Sequence, residues 1–279
     1  MKMGEGAVLD FLSNYYGGLV GECDFNGMSY KVACCSACNF VWQVEILDAE
    51  TMDFLYSALI PSDRSRKKQD NLSLRQREHF SNQMLAFGRL FGGGSRPVRV
   101  LDFGMGWGEW LLMARAFGYE ATGVELSEER VHHARSIGLR AFTDLGPLAG
   151  EKFDVINLEQ VMEHLPDPGG ILQSLRDLLA DGGILRIAVP DSTAELEQLR
   201  SGRYLPQKGA LQPLEHINCF TGDTLVKFGR NHGLRPRDVR LPTVCFGLKD
   251  SAIATLRAAG LRRWKKTTAR YFSKQAGAG

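Results

Sequence analysis

Apolar residues at Leu74, Phe80, Met84, Leu85, Phe87 and Leu90 recur at an approximately helical period and predict a helix from about Leu72 to Phe91. "GGGSRP" (92–97) ends it. The pattern then alternates. "VRVLDF" (98–103) reads as a short buried strand, and "GEWLLMARAFG" as a helix ending at Gly118. "EATGVEL" is a second strand, "LRAFTD" a third and "FDVINLE" a fourth. Between the second and third, Ser127 caps a helix with Glu128 and Glu129 in its first turn, where the helix dipole favours acids. Asp167 and Pro168 form a cap followed by proline at the first helical position. That helix runs to Leu179 and stops before Gly182 and Gly183. "GILRIAVP" (183–190) is a fifth strand, and Thr221 caps a helix ending near Gly233. "LRPRDVRL" and "TVCFGL" complete the pattern as two closing strands.

Strands alternating with helices predict an α/β fold: a Rossmann-like, seven-stranded, mostly parallel sheet with helices on both faces. Three regions are expected. Residues 1–60 form a small N-terminal region with a cysteine cluster, 72–248 the main domain, and 249–279 a basic C-terminal helix. The charged stretch "PSDRSRKKQDN" (61–71) separates the first two. In such sheets a ligand lies beyond the carboxyl ends of the strands.

Composition narrows the picture. At 44% hydrophobic and 24% charged residues, the 279-residue chain can bury a sizeable core. A formal net charge of +2 does not point to nucleic acid as a partner. Residues 249–279 hold eight Lys/Arg and one acid, net +7, so the remainder is net −5. No apolar run reaches the roughly 20 residues that span a bilayer. "MKMGEGAVLD" is too acidic for a signal peptide, so the expected location is the cytoplasm, where thiols stay reduced.

The stretch "RVLDFGMGWGEW" carries the chemistry. Gly104, Gly106 and Gly108 form G-x-G-x-G, whereas a dinucleotide fingerprint needs a third glycine where Glu109 stands. Asp102 precedes the turn, Glu125 ends the second strand, Asp144 the third and Glu159 the fourth. Four acids around one crevice disfavour a polyphosphate and suit a cationic nucleoside. S-adenosylmethionine is one, with a sulfonium and an ammonium but no phosphate. Asp102 suits its cationic end. Glu125 suits the ribose hydroxyls, and Asp144 the adenine amine.

The motifs "VLDFGMGWG", "GVELS", "FDVINLEQVMEHLPDP" and "DGGILRIAVPDS" resemble those of class I S-adenosylmethionine-dependent methyltransferases. The nearest type reads "EHLPDP" after the fourth strand and "EHINxFT" after the fifth, here "LEHINCFT" (214–221). The resemblance spans about residues 74–240. It implies that Asp102, Gly104, Met105, Gly106 and Gly108 form the cofactor loop. It further implies that Glu125 and Leu126 face the ribose, Asp144 and Leu145 the adenine, and Glu159 and Gln160 the methionine end. Met105 and Trp107 depart from the usual loop residues. "GWG" also occurs in lipid methyltransferases, although an aromatic there usually packs.

His164 and His216 follow the fourth and fifth strands and are the candidates for a general base or acceptor contact, each with a structural alternative. Cys35 and Cys38 form a C-x-x-C resembling half of a zinc ribbon. Upstream stand only Cys23 and Cys34, and Cys34 adjoins Cys35 too closely for joint coordination, so the expectation is a remnant that holds no metal. The tail spaces Ile253, Leu256, Leu261, Trp264, Tyr271 and Phe272 as in a basic amphipathic helix. Such a helix is expected either to pack on the domain or to touch an anionic membrane through residues 250–276. The expected function is methyl transfer to a small molecule, a sugar or a lipid-linked glycan. The alternatives are a lipid or fatty-acid acceptor, or a non-catalytic module that binds S-adenosylmethionine.

Overall fold

The computed structural model describes residues 5–16, 30–48, 51–52, 72–241 and 267–275. The N-terminal part contributes α1 (Glu5–Tyr15), β1 (Val32–Cys34) and β2 (Val41–Gln43). Helix α2 (Leu74–Phe91) leads into β3 (Arg99–Phe103), α3 (Glu109–Ala116), β4 (Glu120–Val124), α4 (Glu128–Ser136) and β5 (Arg140–Phe142). Next come β6 (Phe153–Glu159), α5 (Pro168–Leu178), β7 (Leu179–Pro190) and α6 (Thr193–Arg200). The described chain closes with β8 (Asn218–Cys219), α7 (Gly222–Asn231), β9 (Leu234–Arg237) and β10 (Thr267–Lys274).

The helix starts follow local chemistry. Ser73 and Gln76 form a capping box on α2, and Thr221 and Thr224 form another on α7. The Ser127 side chain accepts from the Arg130 amide, and that of Asp167 from the Gly170 amide.

Seven strands make the main sheet, in the order β5-β4-β3-β6-β7-β10-β9. The pairings from β5 through β7 are parallel, whereas β10 runs antiparallel to both β7 and β9. Alternation along the central strands sorts the faces. Leu101, Ile156, Leu158, Leu185 and Ile187 meet α5 through Leu172 and Leu175, and α7 through Leu225. Val100 and Val155 meet α2 through Met84 and Phe87, and α3 through Trp110 and Leu111. Each fully buried side chain of this size contributes about 1.5–3 kcal/mol.

The tail differs from its expected form. Residues 267–274 are not a basic helix but the strand β10, which belongs to the main sheet. Tyr271 and Phe272, adjacent in sequence, point to opposite faces. Phe272 is buried under α5 and α7, and Tyr271 lies partly buried on the α2 side. Both strand pairings fix this, with Phe272 opposite Leu185 and Pro236. An interfacial helix therefore cannot include 267–274. The "TVCFGL" strand and residues 249–266 fall outside the described residues. Among the described residues no helix is long and apolar enough to cross a membrane.

The N-terminal part is built into the main domain. Leu12 of α1 shares a core with Leu196 and Leu199 of α6 and with Leu211 and Leu214. Strands β1 and β2 form a small sheet with β8. The Tyr16 hydroxyl donates to Glu215 Oε1 at 2.6 Å.

Candidate active site

The glycine turn joins β3 to α3. The amides of Gly104 and Met105 donate to the Val124 carbonyl at 2.8 and 3.1 Å, which holds the loop over the end of β4. Gly104, Gly106 and Gly108 have φ of +77°, +57° and +94°, a region costly for other residues. A Cβ at Gly104 would collide with Val161. Met105 is buried in space left by the missing Cβ of Gly123 on β4. Trp107 is buried and packs edge-on to His133 of α4 at 5.3 Å, with Arg130 over its ring at 5.8 Å.

The acids stand around this turn. Glu125 accepts from the Gly106 amide at 3.0 Å and from the Ser127 amide at 3.2 Å, with Arg130 at 3.6 Å. Its carboxylate is thereby tied to the loop. Leu126 beside it is 83% exposed. Asp144 is exposed and accepts from the Gly146 amide at 2.7 Å, starting the short helical turn that half-buries Leu145. Gln160 adopts φ +59°, a left-handed conformation found in a few per cent of non-glycine residues. Its amide donates to the Ala188 carbonyl at 2.8 Å. Such strain costs about 1–3 kcal/mol and clusters where ligands bind.

Asp102 departs from the expected picture. It is the next-to-last residue of β3, near the carboxyl end of the strand, but only 4% exposed, and it accepts from Asn157 Nδ2 at 2.7 Å. Register places Asp102 beside Asn157, and Asn157 beside Arg186, which faces Tyr271. Arg186 is 1% exposed and donates to Asn157 Oδ1 at 2.6 Å and to Glu159 Oε2 at 2.9 Å. One polar row thus crosses the floor of the sheet beneath α2. Burial pushes the Asp102 carboxyl up to about 7; the Asn157 hydrogen bond opposes this and the charge of Glu159 adds to it.

A second set of residues was not anticipated. The Trp110 indole N–H donates to Gln83 Oε1 at 2.8 Å, so Gln83 Nε2 faces His79 Nε2 at 2.8 Å. The indole only donates, so the amide orientation is fixed, and the His79 proton sits on Nδ1. Burial, above all, lowers the pKa of His79, with Glu159 opposing. Helix α2 therefore lays a neutral imidazole within the electrostatic reach of Glu159. Its signal in the sequence was only a polar stripe, His79 and Gln83, four apart on one helix face.

His164 and His216 do come together, with rings edge-on at 4.9 Å. His164 Nδ1 donates to the Glu215 carbonyl at 2.7 Å, and His216 Nδ1 to the Ala210 carbonyl at 3.3 Å. Burial pushes His164 down to about 4, so it is neutral at pH 7 and a weak base there. His216 is buried, and Glu163 Oε1 lies 3.9 Å from His164 Nε2. Candidate ligand atoms of Glu163, His164 and His216 lie within 4.8 Å of one another, a looser limit than the roughly 3.4 Å between ligands of a tetrahedral zinc. Cys23 lies outside the described residues, and Cys35 and Cys38 are free thiols.

The methyltransferase domain family matches residues 64–239, more than half of the chain. The chain belongs to this family. Among curated relatives, it is 25% identical over 159 residues to the ubiquinone biosynthesis O-methyltransferase of Aeromonas salmonicida (strain A449), covering 53% of this chain and 67% of that one. It is 34% identical over 116 residues to the enzyme of the same name from Actinobacillus pleuropneumoniae serotype 5b (strain L20), covering 36% and 49%. The chain thus spans between about half and two thirds of these relatives' length. In fold it is similar to magnesium protoporphyrin IX methyltransferase from Synechocystis PCC 6803, with TM-score 0.53, 15% identity and coverage of 82% and 100%. It is also similar to 1,6-didemethyltoxoflavin-N1-methyltransferase from Burkholderia thailandensis, with TM-score 0.50, 21% identity and coverage of 88% and 99%. The methyltransferase is S-adenosylmethionine-dependent and of class I. Its residues are compatible with that cofactor: three left-handed glycines clear the turn, and Glu125 and Glu159 stand at the carboxyl ends of β4 and β6 beside it.

Two expectations follow. Glu125→Ala weakens S-adenosylmethionine binding about tenfold or more, because hydrogen bonds to a charged group contribute about 1.5–3 kcal/mol each. The same change also removes the acceptor that holds the Gly106 amide. Unchanged affinity by calorimetry would remove Glu125 from the site. The second concerns pH. Below about 7 Asp102 is protonated in the free protein, and an adjacent cation favours its ionised form. Affinity should therefore rise between pH 5.5 and 7, approaching about tenfold per pH unit at the low end, with a proton released on binding. Asp102→Asn should flatten that slope, and a slope that persists in the variant would assign it to another group.

Proposed function

We propose that this methyltransferase acts on a hydroxyl of a small molecule, a sugar or a lipid-linked glycan. The acid-rimmed glycine turn, with Glu125 tied to the Gly106 amide at 3.0 Å, supports the cofactor half of this reading, and the His164–His216 pair, with rings 4.9 Å apart, supports a hydroxyl acceptor. When bound, S-adenosylmethionine supplies an electrophilic methyl group on a sulfonium. Gly104, Gly106, Glu125 and Asp144 hold the nucleoside, and Glu159 and Gln160 border the methionine end.

A hydroxyl nucleophile must lose a proton, and a base serves that step. His216 is the residue for it. Its Nδ1 proton is directed at the Ala210 carbonyl, so Nε2 is the ring nitrogen that carries the lone pair. His164 is a positioning residue: it locks the "EHLPDP" turn to the Glu215 carbonyl and packs its ring on His216. Orienting the two reactants lowers the barrier by several kcal/mol without further chemistry.

A second reading takes an aromatic hydroxyl as the acceptor. It is favoured by the relatives, whose name is ubiquinone biosynthesis O-methyltransferase. Radiolabelled methyl transfer into fractions of a cell extract separates the two. Label in a polar glycan pool supports the first and label in organic-soluble aromatics the second. No label in any fraction would indicate a module that binds the cofactor without turnover.

A further inference from the structure

The turn between β1 and β2 holds two of the chain's six cysteines, Cys35 and Cys38, and Cys34 ends β1 directly before it. It is tightly closed. The Cys35 amide donates to the Phe40 carbonyl at 2.8 Å, and the Asn39 amide donates to the Cys35 carbonyl at 2.9 Å. Asn39 takes φ +63°, which reverses the chain directly after Cys38. This closure brings Ala37 and Cys38 round beside Cys35. Donors directed at a sulfur favour its thiolate, and the Cys35 thiol is held below the ordinary range, chiefly by the Cys38 amide. Cys35 and Cys38 are partly exposed. Cys219 is the contrast: it is buried, and burial pushes its thiol up to about 12.

The turn is anchored on the main domain. Phe40 packs on Phe220 at 4.9 Å and on Phe228 at 6.0 Å. Lys227 Nζ donates to the Cys38 carbonyl at 3.5 Å. Cys38 borders a cavity of about 410 Å³ that Asp191, Thr221, Lys227 and Arg270 also line. Strand β2 pairs with β8, which begins two residues after His216.

We propose that Cys35 and Cys38 form a redox-active dithiol that exchanges with low-molecular-weight disulfides. The Cys35 thiolate attacks one sulfur of the small disulfide, forms a mixed disulfide and expels one thiolate. Cys38 gives its proton to solvent, and its sulfur attacks Cys35 Sγ. This forms the intramolecular S–S bond and expels the second thiolate. Two electrons pass from the protein dithiol to the small disulfide, which is reduced to two thiols. Cys34 is not the resolving residue, because its thiol is turned to the Cys35 carbonyl at 3.8 Å. Disulfides of this kind in a reducing compartment are transient, and their usual roles are catalytic or redox-sensing.

The test equilibrates the reduced full-length chain with mixtures of glutathione and glutathione disulfide near pH 7. Acid quenching, intact mass and peptide mapping then read the products. The expected product has lost two hydrogens, with the bond located between Cys35 and Cys38. Cys38→Ser should stop at one glutathionyl group on Cys35, and Cys34→Ser should close as the natural chain does. The proposal is overturned if no disulfide forms at any ratio, or if the bond joins Cys34 or Cys23 instead. It is also overturned if the purified chain holds zinc near one per chain that shields both thiols from alkylation.

Discussion

Gly106→Val is expected to abolish cofactor binding in a chain that still folds. Gly106 sits at φ +57°, and its amide donates to Glu125 at 3.0 Å. A β-branched residue in that conformation costs at least about 1–2 kcal/mol. The turn would escape the strain by rotating, and the rotation would break the amide's bond to Glu125. The new side chain would also fill space over the turn that a closely approaching ligand needs. Both effects fall on the site rather than on the core, so folding should survive. Gly104→Val should be worse, because its φ is +77° and its Cβ meets Val161, so that stability falls as well. Calorimetry with S-adenosylhomocysteine, beside thermal melting of the same samples, reads both quantities. Ordinary affinity in a folded Gly106→Val chain would show that the turn does not approach the ligand.

Arg186→Met is expected to lower stability by about 3–5 kcal/mol, the usual loss on breaking a buried pair from one side. Arg186 is fully enclosed, and it donates to both Asn157 and Glu159. Methionine fills much of the volume but leaves the Asn157 carbonyl oxygen and the Glu159 carboxylate without that donor. Glu159 is 32% exposed at its side chain, so water relieves part of its loss. The buried Asn157 oxygen has no such relief. In a chain of this size the melting point should fall by on the order of 10 °C. Adding Glu159→Gln should recover part of the loss, since the stranded charge is then gone. If the single variant melts with the natural chain, the row is not a stabilising element.

The extent to which the sequence was legible follows from the range of the forces involved. Strand β3, helices α3 and α4 and the caps Ser127, Asp167 and Thr221 are each set by a period or a side chain within a few residues. They could therefore be read directly. The same holds for the glycine turn, whose three left-handed residues answer a local demand of the backbone. Strand β10 was not legible. Its residues satisfy a helical and a two-residue spacing equally well, and only pairing with β7 and β9 sends Tyr271 and Phe272 to opposite faces.

The site divides in the same way. Gly104, Gly106, Glu125, Asp144 and Glu159 stand at strand ends that the alternation of elements already locates. Asp102, Asn157 and Arg186 each read as one polar residue inside an apolar strand, an anomaly in a sheet buried on both faces. Parallel register is what lines them up into one row, and burial is what raises Asp102 to about 7. The fate of the two histidines was equally a tertiary decision. They lie far apart in sequence, and the fold sets their rings 4.9 Å apart and desolvates His164 until it stays neutral. Local propensity thus determined the elements and the cofactor turn. Charge state, register and the company each polar residue keeps depend on neighbours distant in sequence, and those only the packed sheet supplies.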